Sequence, residues 1–188
     1  NQPIGNWDTQ NATNMSEMFF GASAFNQIIG SWNTGNVTNM NGMLRGASAF
    51  NQPIGTWNTA AVLDMALLFR DAIAFNQPIG SWITQNVTAM NGMFQNAGTF
   101  NRPLGWDTQN VANMSEMFRG AGSFNQSIDV WNTQNVINMS GMFQNAGAFN
   151  QSISNWNTQS VTNMSSMFQG AGSFNQSVGS WTLNSAVS

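Results

Sequence analysis

Tryptophan recurs at a nearly constant interval along this chain, and that interval limits the possible folds more than any other feature. Successive tryptophans are separated by 25, 25, 25, 24, 25, 25 and 25 residues. Self-similarity at a fixed period is typical of repeat architectures, in which a unit buries its apolar face only against its neighbours. The sequence therefore predicts one continuous array of 25-residue units. The tryptophans are Trp7, Trp32, Trp57, Trp82, Trp106, Trp131, Trp156 and Trp181.

The repeat divides the whole chain into units and leaves no room for a second domain. Full units begin at residues 1, 26, 51, 76, 101, 125 and 150, and a truncated eighth unit spans residues 175–188. The fifth unit lacks one residue between Gly105 and Trp106. Because residue 1 already falls inside a repeat, we expect the chain to be part of a longer protein whose targeting or anchoring segments lie outside it.

The second half of each unit predicts a short amphipathic helix. In the second unit Val37, Met40, Met43 and Leu44 occupy positions i, i+3, i+6 and i+7, the stripe of a helix with one buried face. A threonine precedes the stripe in every unit, and its hydroxyl could accept a hydrogen bond from the first helical turn. A residue that tolerates the left-handed conformation follows the stripe, as at a helix C-terminus. The predicted helix N-caps are Thr34, Thr59, Thr84, Thr108, Thr133 and Thr158.

The first half of each unit predicts a parallel strand of three or four residues, as around Ile29–Trp32. Proline precedes the aliphatic residue in several units, and proline cannot donate to a central ladder. The residue missing from the fifth unit would reverse the side-chain direction inside a regular strand. The glycine–serine pair before tryptophan is therefore predicted to lie at a bend. Alternating strand and helix define the predicted fold class, an α/β solenoid of the leucine-rich-repeat type that curves or twists.

Stacked units are predicted to bury their aromatic and sulfur-containing side chains against each other. Beside the first seven tryptophans, the predicted core consists of Phe50, Phe75, Phe100, Phe124, Phe149, Met40, Met65, Met90, Met114, Met139 and Met164. One asparagine per unit recurs just after the phenylalanine. Stacked amides can bond backbone in the next turn, which predicts an asparagine ladder, although a row of exposed amides for glycan or protein contact is the alternative. The ladder would consist of Asn26, Asn51, Asn76, Asn101, Asn125 and Asn150.

The residue composition predicts that the chain is not an enzyme. Histidine and cysteine are absent, which excludes histidine-based triads, thiol nucleophiles and thiolate zinc sites. Asp64 and Asp71 share a unit but lie seven residues apart, at opposite ends of the predicted helix, so neither a catalytic carboxylate pair nor a metal or cofactor site is expected. Charged residues make up 6% of the chain, and its cationic side chains are four arginines. Four cations cannot neutralise a row of phosphates, so nucleic-acid binding is not expected. Direct membrane insertion is not expected either, because no apolar stretch approaches the roughly 18 residues needed to span a bilayer.

The block Trp-Asn-Thr-x-Asn-Val-Thr-Asn-Met-x-x-Met-Phe resembles the repeat of the BspA-like leucine-rich-repeat surface proteins. Residues 32–34, 36–40 and 43 carry the resemblance in the second unit, and residues 131–136, 138–139 and 142–143 carry it in the sixth. The resemblance extends over nearly the whole chain. It departs from the family in having asparagine at most aspartate positions and phenylalanine, as at Phe50, where leucine is usual. The resemblance implies an extracellular or cell-surface repeat region, often linked to adhesion, and no catalytic residues.

Two kinds of function remain open at this point. The leading prediction is a structural and interaction segment, acting as a stalk, as an adhesive surface for a protein or glycan, or as an element that assembles end to end with copies of itself. The alternative is a dedicated glycan-binding or ice-binding array. Regular threonine columns and low charge favour ice binding, but the column after the constant threonine is interrupted by Leu63, Ala112 and Ile137. Glycosylation sequons such as Asn36-Val37-Thr38 arise from the repeat itself.

Overall fold

The computed structural model describes residues 2–182 and shows no helix and no strand longer than a single bridging residue in that range. Residue 1 and residues 183–188 of the predicted eighth unit lie outside the described residues. The predicted α/β solenoid of the leucine-rich-repeat type, with one strand and one helix per unit, is therefore wrong. Regular pairing is limited to isolated parallel bridges between residues one repeat apart: Asn14–Asn39, Asn39–Asp64, Asp64–Ala89, Ala89–Asn113, Asn113–Asn138 and Asn138–Asn163.

Each unit instead forms an irregular coil of consecutive four-residue turns. We number these coils 1 to 7, covering residues 2–25, 26–50, 51–75, 76–100, 101–124, 125–149 and 150–174, and coil 8 begins at residue 175. Gly30 and Ser31 are the central residues of the first turn in coil 2, so the predicted bend is present. In coil 2 the turns run from Ile29 to Trp32, Thr34 to Val37, Met40 to Met43, Gly42 to Arg45, Leu44 to Ala47 and Ala47 to Phe50.

This chain of turns explains why the apolar pattern predicted a helix. A turn closed between residues i and i+3 places its two end residues on the same side, so Met40 and Met43 keep a spacing of three without any helix. The backbone also contains left-handed residues that an α-helix excludes. In coil 2 these are Gly42 and Gly46, with φ values of 58° and 71°. The residues predicted to end the helices do adopt the left-handed conformation, but each is the third residue of a four-residue turn. Gly46, for example, lies in the turn from Leu44 to Ala47.

Backbone hydrogen bonds connect each of coils 1 to 6 to the next one along the chain. In coil 2 the N–H groups of Met40, Gly42, Leu44 and Gly46 donate to carbonyls of coil 3 over 2.7–3.0 Å. The carbonyls of residues 39, 41, 43 and 45 accept in the same way from coil 1. Successive bonded peptide groups in this segment therefore point in one direction, whereas those of an ordinary strand alternate. Residues 39–46 and their equivalents are called the turn segment below.

Coil 5 accommodates the missing residue by losing one turn. Only Gly105 separates Leu104 from Trp106, so these two residues cannot be the ends of a four-residue turn. The Trp106 indole nevertheless donates to the Ile79 carbonyl over 3.0 Å, and its ring lies 6.3 Å from that of Trp82. The deletion is absorbed within the coil, and the contacts between coils are kept.

The core runs through the middle of the coils. Val37, Met40, Met43 and Phe50 are fully buried, as are their equivalents through coil 6. Ile29 and the aliphatic residues equivalent to it in coils 3 to 7 are also buried. Two predicted core residues differ from the rest, since Trp7 of coil 1 is exposed and Met164 of coil 7 is only half buried.

Candidate functional site

The tryptophan column is the best-defined feature of the interior. Trp32 through Trp156 are 3–4% exposed, whereas Trp7 is 52% exposed. Successive rings are nearly parallel, as between Trp106 and Trp131 with centroids 6.4 Å apart and planes 4° apart. Each buried indole N–H donates to an aliphatic residue's carbonyl in the preceding coil, as from Trp82 to Ile54 over 3.1 Å. Since the rings and their donors are both engaged inside, the column from Trp32 to Trp156 offers no surface on which a sugar could stack.

Two phenylalanine columns pack beside the tryptophans. Phe75 and Phe100 belong to one column, with ring centroids 6.0 Å apart. Phe69 and Phe94 belong to the second column, 5.5 Å apart. The two columns meet within a coil, where the Phe69 and Phe75 centroids are 4.0 Å apart. The aromatic rings thus form a continuous packed interior from coil 1 to coil 8.

The asparagines predicted to form a ladder bond the backbone of the following coil. The Asn51 Oδ1 accepts the backbone N–H of Asn76 over 2.9 Å and the side-chain amide of Gln77 over 3.0 Å. The same backbone bond links Asn26 to Asn51, Asn76 to Asn101, Asn101 to Asn125, Asn125 to Asn150 and Asn150 to Asn175. These asparagine oxygens are engaged in holding the coils together.

The threonines predicted to be helix N-caps have a different role, because no helix follows them. Each hydroxyl donates to a backbone carbonyl of the following coil, as from Thr84 to Asp107 over 2.8 Å. These side chains are 1–2% exposed from coil 2 onward, so the column cannot present a regular threonine surface to ice. The residues to which this correction applies are Thr34, Thr59, Thr84, Thr108, Thr133 and Thr158.

A left-handed position early in the turn segment alternates between glycine and larger residues. Leu67 adopts a φ of 60°, and its side chain covers Gly92 so closely that an added Cβ on Gly92 would lie 2.7 Å from Leu67 Cδ2. Glu17 covers Gly42 and Glu116 covers Gly141 in the same manner, each with 3.4 Å between the added Cβ and the glutamate Cγ. A side chain in one coil therefore packs over a glycine in the next, and at Gly92 an added Cβ would clash with it.

The side of the stack that carries the Thr34–Val37 turn is exposed and rich in amides. We call it the amide face and define it by Asn33, Gly35 and Asn36 of coil 2 and their equivalents. The Asn86 Nδ2 donates to the Ala60 carbonyl of the preceding coil over 2.9 Å, so these asparagines are held in place while remaining exposed. The exposed glutamines of this face include Gln85, Gln109 and Gln134.

Most acidic side chains of the described residues bond to nearby polar groups of the chain. No group of three or more acidic residues there could hold a metal ion. Asp64 accepts the N–H of Ala66 over 2.8 Å, whereas Asp71 accepts the side-chain amide of Asn96 over 2.8 Å. These two aspartates, which share a unit in the sequence, therefore have separate partners.

Sequence reasoning misread a further exposed column, which lies two residues after the asparagines of the amide face. Backbone hydrogen bonds of 2.8–3.0 Å connect its members in order: Thr13, Thr38, Leu63, Thr88, Ala112, Ile137 and Thr162. The mixed residue types suggested an interrupted threonine row. What the residues share is a methyl group or a larger aliphatic side chain, and that common property could have been found in the sequence.

Comparison with known families assigns the repeat. The family model described as Mycoplasma protein of unknown function, DUF285, matches residues 1–105 and again residues 103–188. The chain belongs to this DUF285 family. The two consecutive matches confirm the tandem repeat and cover the whole chain. No curated protein and no solved structure matches the chain. Among the residues that the structure describes, none lies in a helix able to cross a membrane.

Proposed function

We propose that this chain is a non-enzymatic repeat segment of an extracellular or cell-surface protein, related to the BspA-like surface proteins, and that it presents the amide face to a protein or glycan. Tandem DUF285 repeats are compatible with a segment of a surface protein. The proposal depends mainly on how the side chains are divided between interior and surface. The tryptophans, methionines, threonines and ladder asparagines join coil to coil, which leaves the amide face as the repeated exposed pattern.

The chemistry of the amide face suits neutral, polar partners. Its asparagines and glutamines supply both donors and acceptors, and its charged members are limited to Asp8 and Asp107. A partner with hydroxyl and amide groups could bond several coils at once, and such multivalent contact raises the overall affinity without strong individual contacts.

The proposal is tested by binding the chain to a glycan array and to immobilised surface glycoproteins. The variant Gln85→Ala/Gln109→Ala/Gln134→Ala removes amides from three adjacent coils, and we expect it to lose at least about tenfold in affinity. Gln144→Ala/Gln169→Ala is the matched control, because those glutamines lie in the turn segment on another face. Binding that both variants retain, or that both lose equally, would reject the amide face as the binding surface.

A further inference from the structure

Two asparagine–glycine pairs lie in the turn segment, Asn41–Gly42 of coil 2 and Asn91–Gly92 of coil 4. Asparagine is among the chemically labile residues, and a following glycine has no side chain to hinder attack on it. The glycine backbone nitrogen can attack the asparagine Cγ and close a succinimide ring, while its proton leaves with the side-chain NH2 as ammonia. Water then adds across one ring C–N bond and gives aspartate, or isoaspartate with one more methylene in the backbone.

The contacts between coils occupy the nitrogen that would have to attack. The Gly42 N–H donates to the Ala66 carbonyl of coil 3 over 2.9 Å, and the Gly92 N–H donates to the Ser115 carbonyl of coil 5 over 2.8 Å. Both glycines are buried. Each nitrogen must therefore break its bond to the next coil before it can turn toward the asparagine side chain.

The two sites differ in what faces the asparagine from the next coil. The Asn41 Nδ2 donates to the Asp64 Oδ2 over 3.1 Å. Deamidation would replace this donor with a second carboxylate beside the first, and like charges at such a distance repel each other. In coil 5 the residue equivalent to Asp64 is Asn113, a neutral amide. An aspartate in place of Asn91 would therefore meet no carboxylate there.

We propose that Asn41 and Asn91 are latent deamidation sites, closed while the coils are stacked and reactive when the following coil separates. The reaction rate at each site is then set by the fraction of time that the turn segment is open. At Asn41 the modification also loosens coil 2 from coil 3, because its product repels Asp64. Water is the co-reactant at both sites. This inference concerns the turn segment and does not depend on the proposed function.

Incubation of the chain at mildly alkaline pH, followed by peptide mass spectrometry, tests the protection. Both pairs lie in the same sequence, Met-Asn-Gly-Met, so in guanidinium chloride Asn41 and Asn91 should deamidate at similar rates. That rate is the control for intrinsic reactivity. In the folded chain we expect both sites to react at least about tenfold more slowly. Smaller protection at either site overturns the proposal.

The effect of the product is tested with Asn41→Asp and Asn91→Asp, which install the aspartate directly. The melting temperature should fall at least about 2 °C further for Asn41→Asp than for Asn91→Asp. Asp64→Asn removes the opposing charge, and asparagine is the commoner residue in that column, so Asn41→Asp should cost less in that background. Equal falls for the two single variants, or no relief by Asp64→Asn, would overturn the assigned loosening of coil 2 from coil 3.

Discussion

Each buried tryptophan joins neighbouring coils through two interactions at once. Its ring packs against rings of neighbouring coils, and its indole N–H donates to a carbonyl of the preceding coil that in most coils also accepts the backbone N–H closing its own turn. Trp82 shows both, with Trp57 at 6.1 Å and the Ile54 carbonyl at 3.1 Å. A single residue type thus supplies apolar burial and hydrogen-bond satisfaction at the same place in the repeat.

Replacing Trp82 with alanine should lower the free energy of unfolding by about 3–5 kcal/mol, because it opens a cavity and removes the hydrogen bond to the Ile54 carbonyl. Urea unfolding followed by intrinsic fluorescence measures the change. Trp7→Ala is the matched control, since Trp7 is 52% exposed, and it should cost much less. Equal effects of the two substitutions would mean that the column is not buried as described.

The buried threonines can be tested by an isosteric change. Thr84→Val keeps the side-chain shape but removes the donor to the Asp107 carbonyl, and it should cost about 1–3 kcal/mol of unfolding free energy. Thr88→Val is the control because Thr88 is exposed and water can replace its long hydrogen bond to the Leu63 carbonyl, 3.3 Å, so it should change the stability by less than about 0.5 kcal/mol. Chemical denaturation of both variants gives the comparison, and a larger effect at Thr88 would contradict the assigned roles.

At the scale of the element, a bulky side chain in one coil packs over a glycine at the same position of the next coil. Leu67 occupies a left-handed conformation that costs a non-glycine residue about 1–2 kcal/mol, and it packs over Gly92. The glycines at this position in coils 2, 4 and 6 therefore leave space for a side chain of the preceding coil. A coil is stable only together with the coils on either side of it, as in other repeat architectures.

A double-mutant cycle tests this dependence. Gly92→Ala should destabilise the chain by more than about 1 kcal/mol, because its Cβ would meet Leu67 and its backbone is left-handed. In the Leu67→Gly background the clash disappears, so the same substitution should cost less, with a coupling of at least about 0.5 kcal/mol. Thermal or urea unfolding of the four proteins gives the coupling, and additive effects would show that the two positions are independent.

The sequence predicts which residues recur but not the backbone that connects them. Val37, Met40 and Met43 are spaced by three, which fits a short helix and a chain of turns equally well. Gly42 was the informative residue, because a glycine in the middle of a predicted helix disfavours it, yet Leu67 and Glu116 at the same position concealed the pattern. The asparagine and threonine columns were recognised as regular. Their partners lie in the next coil, and these contacts between coils determine their roles.

At the scale of the whole molecule, the stack protects nearly all of its methionines from solvent. Those of coils 2 to 6, such as Met40, Met90 and Met139, are fully buried, whereas Met18 is 40% exposed. Oxidation of a thioether requires access of the oxidant to sulfur. An oxidant can therefore reach the sulfur of Met18 but not the sulfur of a fully buried methionine such as Met90.

Dilute hydrogen peroxide followed by peptide mass spectrometry tests this division. We expect Met18 to be oxidised first and Met90 to remain reduced while the chain is folded, because the neighbouring coils cover Met90. In denaturant the two residues should react at similar rates, which serves as the control for intrinsic reactivity. Comparable oxidation of both residues in the folded chain would contradict the described packing.

The common direction of the peptide groups in the turn segment affects the electrostatic potential around the protein. Each such group carries a dipole of about 3.5 D, and dipoles that point the same way add together, as they do in an α-helix. The N–H groups of Thr38, Ala49 and Asn51 point toward the preceding coil instead, so this alignment is confined to the turn-segment side of the stack, which is negative toward coil 1 and positive toward coil 7. Ions of opposite sign should therefore gather at opposite ends of that side.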